Sequence, residues 1–484
     1  MDPVASAFTI GAPDKCRSGA KDDSMNLSVV GTGYVGLVTG TGFASLGHQV
    51  TCVEIDAHKM RSLEQGHVPW YEPGLQEMML GQIDRGGLRF TSDLSDSISG
   101  SDVVLIAVGT PSRPDGSADT SAVFRAAEQI GDLVKRPTTV VIRSTVPVGT
   151  TRAVRSVIFE RSGVDCPTLS NPEFLREGHA VKDFRNPARV VIGADLPGHE
   201  DLLKDLYASF VPSDLVIVTS TRSSEMSKYA SNSFLATKIS FINEIAMLCE
   251  ELGADVEEVR RIMGLDPRIG PAFLGAGIGF GGSCLPKDTR ALVEMGNEVG
   301  LPMPLVKSAI RVNSSLPTRL VQNVQRYLGL LKSKRIAVWG LSFKPDTDDI
   351  REAPALAIVD LFLKEGASVC VYDPSEAVEQ ARTMFGERID YAINQYECAS
   401  EADAIIVATE WKLFSSTDWD CIADVMPSPI VFDGRNTLDP EELRAAGIQY
   451  RAVGRSAVTA EMQMAPVSSE DNSGRERAGA QLAD

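Results

Sequence analysis

The residues best suited to chemistry lie in a glycine-rich segment, Phe273–Asp288. Five glycines fall within the ten residues that end at Cys284. This density predicts a loop that lies against a ligand, because glycine permits positive φ and close approach of the backbone. A thiol on such a loop, beside Lys287 and Asp288, is suited to nucleophilic attack. The alternative is a buried structural cysteine, since free cysteine is among the most buried residue types.

Two other pairs of polar residues have spacings that suit catalysis. Lys228 and Asn232 stand four residues apart in a predicted helix, so they share one face and can stabilise an oxyanion together. The alternative for this pair is a solvated polar stripe. Glu173 and Glu177 follow a short predicted strand, and either can serve as a general base. The alternative for these two is an exposed turn with surface acids.

The beginning of the chain carries a glycine motif typical of dinucleotide binding. Gly31–Gly36 has the pattern GxGxxG between a predicted strand and a predicted helix, and a second strand follows. Gly31 permits the tight turn, Gly33 lets the backbone approach a pyrophosphate, and Gly36 lets the helix pack closely on the strand. Glu54 suits the ribose hydroxyls and disfavours the 2′-phosphate of NADP, which predicts NAD. The alternative is a glycine-rich turn without a dinucleotide.

Alternating strand and helix patterns predict a doubly wound α/β domain up to about residue 220. The segment Asp102–Val108 is nearly all apolar, as in a strand buried on both faces, and it ends at Gly109–Pro111. Thr145 follows the next predicted strand, Thr138–Ile142, so both loops are expected at the carboxyl edge of the sheet, where ligands bind. From Ser223 the pattern is helical for about 28 residues, which is long enough to join two domains.

The C-terminal part repeats the opening pattern with a different glycine turn. After helices predicted at Asp255–Met263, Thr289–Glu298 and Pro304–Tyr327, a strand at Arg335–Trp339 leads into Gly340–Pro345. Bulky side chains replace the motif glycines in this turn, which predicts a second doubly wound domain whose ligand is not a dinucleotide. The basic residues at its turns that suit phosphate binding are Lys344, Arg351 and Arg435.

Composition argues against several classes of function. The net charge of −18 disfavours a nucleic-acid surface, which needs a basic patch. The eight cysteines include no CxxC pair and no short spacing to a histidine, so we expect no disulfide framework, no metal site and a reducing, cytoplasmic location. No stretch approaches the roughly 18 consecutive apolar residues of a membrane helix. Met1–Ser24 lacks the apolar run of a secretory signal.

Taken together, the motifs resemble those of the UDP-glucose/GDP-mannose dehydrogenase family. They occur in the expected order over residues 25–455 and comprise Gly31–Gly36, Val108–Pro111, Ser144–Pro147, Asn171–Phe174, Lys228 with Asn232, Gly281–Asp288 and Gly340–Lys344. Three further segments favour UDP-glucose among the substrates of this family, namely Trp70–Gly74, Lys228–Ser240 and Phe432–Asn436.

The resemblance implies a four-electron oxidation of a nucleotide sugar with two NAD. The C6 alcohol becomes an aldehyde and then, through a cysteine thiohemiacetal and thioester, an acid. UDP-glucose is the expected substrate and UDP-glucuronate the product. GDP-mannose or another nucleotide sugar is the alternative substrate, and a catalytically silent nucleotide-sugar sensor is a second alternative. A homodimer is also implied.

The resemblance further implies roles for individual residues. The catalytic group comprises the nucleophile Cys284, the oxyanion-binding pair Lys228 and Asn232, and the water-positioning Thr145, Glu173 and Asp288, with Glu173 favoured as the base. The cofactor site comprises Gly31, Gly33, Tyr34, Val35, Gly36, Glu54, Lys59, Thr110, Thr145, Glu177 and Arg351. The substrate site comprises Glu173, Phe174, Leu175, Glu177, Lys228, Asn232, Phe273, Leu274, Gly281, Lys344, Arg435 and, across a dimer interface, Arg268.

We therefore predict an α/β fold with two doubly wound, Rossmann-like domains, a long central helix and a helical dimerisation region. The NAD-binding domain is expected at 25–221, the central helical domain with the cysteine loop at 222–330 and the nucleotide-sugar domain at 331–455. Segments 1–24 and 456–484 are expected to be disordered. Two residues depart from the family pattern: Glu54 stands where aspartate is common, and Gly275 stands where some members carry lysine.

Overall fold

The computed structural model describes residues 24–455, and the predicted terminal extensions lie outside this range apart from Ser24. Its two sheets have eight and six strands, and a helix of 32 residues lies between them in the chain. This confirms the predicted fold class of two doubly wound α/β domains with a long central helix. The exact domain boundaries and the dimerisation region stay predictions.

The first sheet consists of β1 (Asn26–Val30), β2 (Gln49–Val53), β3 (Leu88–Thr91), β4 (Val103–Ile106), β5 (Thr139–Ile142), β6 (Thr168–Ser170), β7 (Val190–Gly193) and β8 (Val216–Thr219). Their order is β3-β2-β1-β4-β5-β6-β7-β8, and all neighbours are parallel except β6 and β7. Alternate side chains of β4 enter two different hydrophobic clusters, one on each face. A sheet buried on both faces explains why this strand is apolar throughout.

Helices connect these strands and cover both faces of the first sheet. They are α1 (Tyr34–Ser45), α2 (Ala57–Glu64), α3 (Leu75–Asp84), α4 (Leu94–Ile98), α5 (Ser121–Leu133), α6 (Thr150–Ser162), α7 (Ala180–Arg185) and α8 (Asp201–Ala208), with a 3-10 turn at Ser213–Leu215. The order of the strands reverses between β1 and β4, and such a switch point is where doubly wound sheets bind ligands.

The central region contains four helices, α9 (Thr221–Leu252), α10 (Val256–Gly264), α11 (Leu285–Glu298) and α12 (Pro304–Leu328). The long helix α9 begins two residues before the predicted Ser223, because the Ser220 side chain caps it by accepting from the Ser223 amide. It ends at Gly253, whose φ of 76° is the left-handed conformation that glycine adopts at low cost.

Helix α11 begins four residues earlier than predicted, at Leu285 instead of Thr289. The expectation of a loop was wrong because Pro286 is tolerated in the first turn of a helix, where its missing N–H is not needed. Cys284 is therefore the N-cap residue of a 14-residue helix. At this position the helix dipole favours a negative charge on the thiol.

The second sheet consists of β9 (Arg335–Trp339), β10 (Ser368–Tyr372), β11 (Asp390–Tyr391), β12 (Ala404–Val407), β13 (Ile430–Asp433) and β14 (Gln449–Ala452). It is parallel throughout, in the order β11-β10-β9-β12-β13-β14. Its helices are α13 (Pro354–Lys364), α14 (Ala377–Phe385), α15 (Gln395–Ala399), α16 (Lys412–Ser415), α17 (Trp419–Val425) and α18 (Pro440–Ala445), with a 3-10 turn at Gly386–Arg388. Among residues 24–455, no helix is both long and apolar enough to cross a membrane.

Candidate active site

The glycine turn after β1 has the shape that a dinucleotide requires. A Cβ atom on Gly36 would lie 1.9 Å from the Gly31 carbonyl oxygen, so this glycine is needed for packing. Gly31 has a φ of 97°, which other residues rarely adopt. A Cβ on Gly33, in contrast, would meet nothing within 4 Å, although Gly33 caps α1. Open space at a helix N-terminus suits a pyrophosphate, so the turn fits NAD.

Glu54 directly follows β2 at the same edge of the sheet and is held in a fixed orientation. One carboxylate oxygen accepts a hydrogen bond from the Thr32 hydroxyl at 2.5 Å, and the other accepts from the Asp56 amide at 2.8 Å. The side chain is only 6% exposed. A carboxylate fixed between these groups suits the ribose hydroxyls of NAD and repels a 2′-phosphate.

The corresponding turn after β9 is closed. A Cβ on Gly340 would lie 2.4 Å from Cβ of Thr409, which packs against the turn from the end of β12. The Asp373 carboxylate accepts hydrogen bonds from the amides of Leu341 and Ser342 at 2.7 and 3.1 Å. The Asp373 carboxylate thus occupies the amides that would bind a pyrophosphate. This agrees with the prediction that the ligand of the second domain is not a dinucleotide.

The other predicted cofactor residues lie in several elements, and their contact with a cofactor stays a prediction. Tyr34 begins α1, and its hydroxyl donates to Glu72, while Val35 is half-buried beside it. Lys59 is half-buried in the first turn of α2. The Thr110 hydroxyl donates to the Thr145 carbonyl at 2.8 Å, which joins two loops at the carboxyl edge of the sheet. Arg351 is 2.7 Å from Asp349 and 3.6 Å from Glu177.

Two asparagines hold the glycine-rich loop that carries Cys284. Asn243 of α9 accepts from the Gly277 amide at 2.8 Å. Asn313 of α12 accepts from the Phe280 amide at 2.8 Å and donates to the Phe280 carbonyl at 3.0 Å. Sequence reasoning missed both asparagines, because a polar residue in a helix carries no signal for a partner so far along the chain.

Lys228 and Asn232 project from the same face of α9 into a buried group of opposite charges. The Lys228 ammonium lies 3.1 Å from the Glu173 carboxylate, and both side chains are at most 7% exposed. The Asn232 amide donates to the Asp288 carboxylate at 2.6 Å, and Lys287 pairs with the other oxygen of Asp288. The two local alternatives, a solvated stripe and an exposed turn, are therefore wrong for these residues.

The two groups most important for covalent chemistry are both protonated at neutral pH. Burial alone would lower the pKa of Lys228, but Glu173, Cys284 and Asp288 more than offset it, and the pKa is raised. Burial raises the pKa of the Cys284 thiol, Lys228 opposes this, and Glu173 and Asp288 add to it. The residue as a whole is nevertheless exposed to solvent, so it does not lie in the protein core. Cys284 is therefore not one of the buried cysteines of the protein, and its catalytic role stays a prediction.

Four further residues that are predicted to bind substrate are buried or half-buried. Phe174 and Leu175 are half-buried next to Glu173, and the Lys228 ammonium lies 5.2 Å from the centre of the Phe174 ring. Gly281 packs so closely that a Cβ there would lie 2.3 Å from the Glu352 carbonyl oxygen. Leu274 is 2% exposed in a hydrophobic cluster, and its contact with substrate stays a prediction.

Two other predicted contacts do not join the buried group within the described chain. Arg268 has a side chain that is 87% exposed and pairs with Asp266 of its own loop. Phe273 is 38% exposed and has a φ of 62°. A residue that acts across a subunit interface would be exposed in this way in a single chain, so the prediction for Arg268 stays a prediction.

Lys344 and Arg435 connect the C-terminal domain to the cleft. The Lys344 ammonium donates to the Glu177 carbonyl at 2.5 Å. The Arg435 guanidinium donates to the carbonyls of Ala408 and Gly279 at 2.8 Å each, so it links the second sheet to the cysteine loop. Burial lowers the pKa of Lys344, partly offset by Glu177. Arg435 thus lies between the glycine loop and the second sheet, and Lys344 links the turn after β9 to the segment that carries Glu177.

Comparison with known proteins agrees with this organisation. Three models of the UDP-glucose/GDP-mannose dehydrogenase family match the chain: the NAD binding domain at 25–211, the central domain at 222–315 and the UDP binding domain at 337–440. The UDP-glucose 6-dehydrogenase YwqF of Bacillus subtilis is 44% identical over 90% of this chain and 98% of its own length. The UDP-glucose 6-dehydrogenase of Rhizobium meliloti is 44% identical over 89% of this chain and all of its own length.

A solved structure shows the same arrangement. The UDP-glucose dehydrogenase of the archaeon Pyrobaculum islandicum superimposes with a TM-score of 0.84 at 40% identity, covering 90% of this chain and 98% of the other. The fold and the cofactor turn define an NAD-dependent dehydrogenase. The chain belongs to the UDP-glucose/GDP-mannose dehydrogenase family.

Proposed function

We propose that this enzyme oxidises UDP-glucose to UDP-glucuronate with two NAD, through a thiohemiacetal and a thioester on Cys284. The observation that carries this proposal is the convergence of Cys284 with two buried polar pairs, Lys228 with Glu173 and Asn232 with Asp288. The substrate is taken from the relatives that align over the whole described chain. NAD, when bound, supplies the hydride acceptor for both oxidations.

The first oxidation requires a group that receives the proton of the C6 hydroxyl. The Lys228–Glu173 pair can do this, since Glu173 lies 3.1 Å from the ammonium that we assign to the substrate oxygen. Lys228 and Asn232 then donate to the oxygen as it gains negative charge. Donors fixed in a buried site need no reorganisation during the reaction, which makes them more effective than water.

The second oxidation requires a covalent nucleophile. A planar aldehyde carbon has no hydride on a tetrahedral centre to give, so addition of the Cys284 thiolate must come first. The addition gives a thiohemiacetal, which becomes a thioester when its C6 hydride is transferred to the hydride acceptor, and water then cleaves the thioester. We assign the base to Glu173, and we assign the positioning of the water to Thr145 and Asp288, the latter held by Asn232 at 2.6 Å.

Glu54 should make the enzyme strongly selective for NAD over NADP. Its buried carboxylate would lie against the 2′-phosphate of NADP and repel it. We expect kcat/KM for NADP to be lower by at least about two powers of ten, or roughly 2.7 kcal/mol. Glu54→Gln should lower the ratio of kcat/KM for NAD to kcat/KM for NADP. Glu64→Gln, which changes an exposed residue at the end of α2, is the control. Comparable kcat/KM values for the two cofactors in the wild type would overturn this assignment.

Arg435 should matter for the nucleotide sugar and for stability, but not for NAD. Arg435→Ala removes a cation from the second sheet and leaves the carbonyls of Ala408 and Gly279 without their donor. We expect KM for the nucleotide sugar to rise at least tenfold and Tm to fall, because each lost hydrogen bond costs about 0.5–1.5 kcal/mol. The Kd for NAD should stay within threefold of the wild type. The exposed Arg444→Ala is the control, and a selective loss of NAD binding would show that the roles of the two domains are reversed.

We also propose a cytoplasmic homodimer. Phe234, Phe241 and Leu248 of α9 are spaced seven residues apart and are 66, 46 and 54% exposed. Seven residues are nearly two turns, so these side chains form one apolar stripe suited to a second copy of the chain. Sedimentation of the wild type and of Phe241→Glu tests this, and a wild type that sediments as a monomer contradicts it.

The alternatives are separated by the substrates that the enzyme turns over. The formation of NADH from UDP-glucose, GDP-mannose and other nucleotide sugars, each at equal concentration, identifies the preferred substrate. Turnover with any of them excludes the catalytically silent sensor. Preference for a sugar other than UDP-glucose would move the proposal to that substrate without changing the roles of the residues.

A further inference from the structure

The thiol of Cys284 needs a base when it attacks the aldehyde. Burial raises the pKa of this thiol above its ordinary value, so it carries its proton at neutral pH. Lys228, the nearest cation, is itself protonated and cannot accept that proton. The thiol of a cysteine attacks faster when an adjacent group removes its proton during the attack.

Three carboxylates lie close to the thiol or to its neighbour, and two of them are already engaged. Glu173 accepts from the Lys228 ammonium and, at 2.5 Å, from the Leu175 amide. Asp288 accepts from Asn232 and pairs with Lys287. The third is Glu177, whose Oε2 is buried and has no hydrogen-bond partner within the described chain. A buried carboxylate oxygen without a partner is unusual and suits a group that takes up a proton.

Ser283 connects Glu177 to the thiol. Its hydroxyl donates to Glu177 Oε1 at 3.0 Å and lies 3.6 Å from Cys284 Sγ. A hydroxyl can accept one proton while it donates another, so the three side chains form a continuous hydrogen-bonded path. The amino-acid sequence gives no hint of this path, because Ser283 and Glu177 are 106 residues apart.

We propose that Ser283 and Glu177 form a proton relay that activates Cys284, a role that rests on the proposed function. During the attack the Sγ–H bond breaks and its proton passes to Ser283 Oγ, while the hydroxyl proton of Ser283 passes to Glu177 Oε1. The electron pair of sulfur forms the Sγ–C6 bond. The carbonyl electron pair moves onto the C6 oxygen, where Lys228 and Asn232 hold the negative charge.

Loss of the C6 hydride to the second NAD of the proposed function turns the thiohemiacetal into the thioester, and the relay runs in reverse when the thioester is cleaved. Water adds to C6 as Glu173 takes its proton, and the C6–Sγ bond then breaks with its electron pair returning to sulfur. Glu177 gives its proton back through Ser283, which restores the thiol and the carboxylate. The relay thus holds one proton from the formation of the thiohemiacetal until the cleavage of the thioester, and it returns to its starting state.

The charges around Glu177 match this role. Burial and the neighbouring Asp349 raise the pKa of Glu177 to about 7, although Arg351, Ser283 and Lys344 lower it. A proton acceptor works best when its pKa lies near the working pH. The carboxylate form is the one that accepts the proton, so oxidation of the aldehyde should fall as the pH drops below about 7 and level off above it.

The test is the pH profile of the aldehyde-to-acid half-reaction, with the C6 aldehyde of UDP-glucose supplied directly together with NAD. At pH 7 we expect Ser283→Ala to lower kcat for acid formation about 100-fold, the lower end of the range for general acid–base catalysis. This deficit should shrink toward pH 9, where hydroxide ionises the thiol without the relay. Ser283→Thr, which keeps the hydroxyl, should recover most of the rate, and the exposed Ser314→Ala is the matched control.

Binding of NAD, measured by titration without substrate, separates the relay from a contact with the cofactor. We expect the Kd of Ser283→Ala for NAD to stay within threefold of the wild type, and we expect Glu177→Gln to show the same pH-dependent deficit. A loss of rate that is equal at all pH values, or one explained by a weaker Kd for NAD, would overturn the relay. A Ser283→Ala enzyme that makes acid as fast as the wild type would also overturn the relay alone, whereas failure of the proposed function means that the wild type itself makes no acid.

Discussion

Replacing Cys284 by alanine should nearly abolish formation of the acid while leaving the protein folded. Without the thiol no thiohemiacetal can form, and the rate should fall by at least about four powers of ten, each worth roughly 1.4 kcal/mol of barrier. The side chain is solvent-accessible at the beginning of α11, so its loss creates no core cavity. Production of acid, thermal unfolding and the Kd for NAD are the three measurements.

The control for this variant is Cys421→Ala, another exposed cysteine, which lies on α17. It should behave as the wild type in all three measurements. Cys284→Ser should accumulate an ester, because a hydroxyl can attack the aldehyde but leaves slowly from the acyl group. If Cys284→Ala makes acid at a near wild-type rate, the cysteine is structural and the covalent route is wrong.

Replacing Lys228 by methionine should lower kcat of both oxidations by about two to three powers of ten. This is the usual effect of removing one donor that stabilises an oxyanion, and methionine keeps most of the side-chain volume. The change also leaves the Glu173 carboxylate buried without its cation, which should cost about 3–5 kcal/mol of stability. Rates of each half-reaction and denaturant unfolding measure the two effects.

The double variant Lys228→Met with Glu173→Gln separates stability from catalysis. Neutralising Glu173 should restore much of the lost stability but none of the activity. Lys238→Met, on the same helix and bonded to the Ile269 carbonyl, is the control for Lys228→Met. A Lys228→Met enzyme that keeps near wild-type rates would show that this ammonium does not hold the developing charge.

The fold and the cofactor turn could be predicted because their causes are local. The apolar run of β4 reflects burial on both faces, and the pattern Gly31–Gly36 reflects backbone positions that only glycine fits. The contrast with the turn at Gly340 was also visible, since this turn lacks the later glycines of the pattern Gly31–Gly36. In each case the residues that determine the local structure lie close together in the sequence.

The details of the site could not be predicted because they depend on distant contacts. Ser283 looks like an ordinary loop residue until the fold brings Glu177 to 3.0 Å from its hydroxyl. Asn313 fixes the cysteine loop from another helix. Helix α11 was placed too late because the glycines before Cys284 and the following Pro286 together look like an extended loop. The N-cap position of Cys284, which favours its thiolate, was therefore missed.

The central claim is that two oxidations proceed through a covalent bond to Cys284, and trapping that bond tests it most directly. Wild-type enzyme is mixed with UDP-glucose and NAD and quenched in acid within the first turnover, and the peptide that contains Cys284 is analysed by mass spectrometry. NADH and acid are counted in the same samples. We predict two NADH for each acid. We also predict a mass increase on Cys284 equal to the acyl group formed from the nucleotide sugar. One NADH for each sugar, with no adduct on Cys284, would contradict the account.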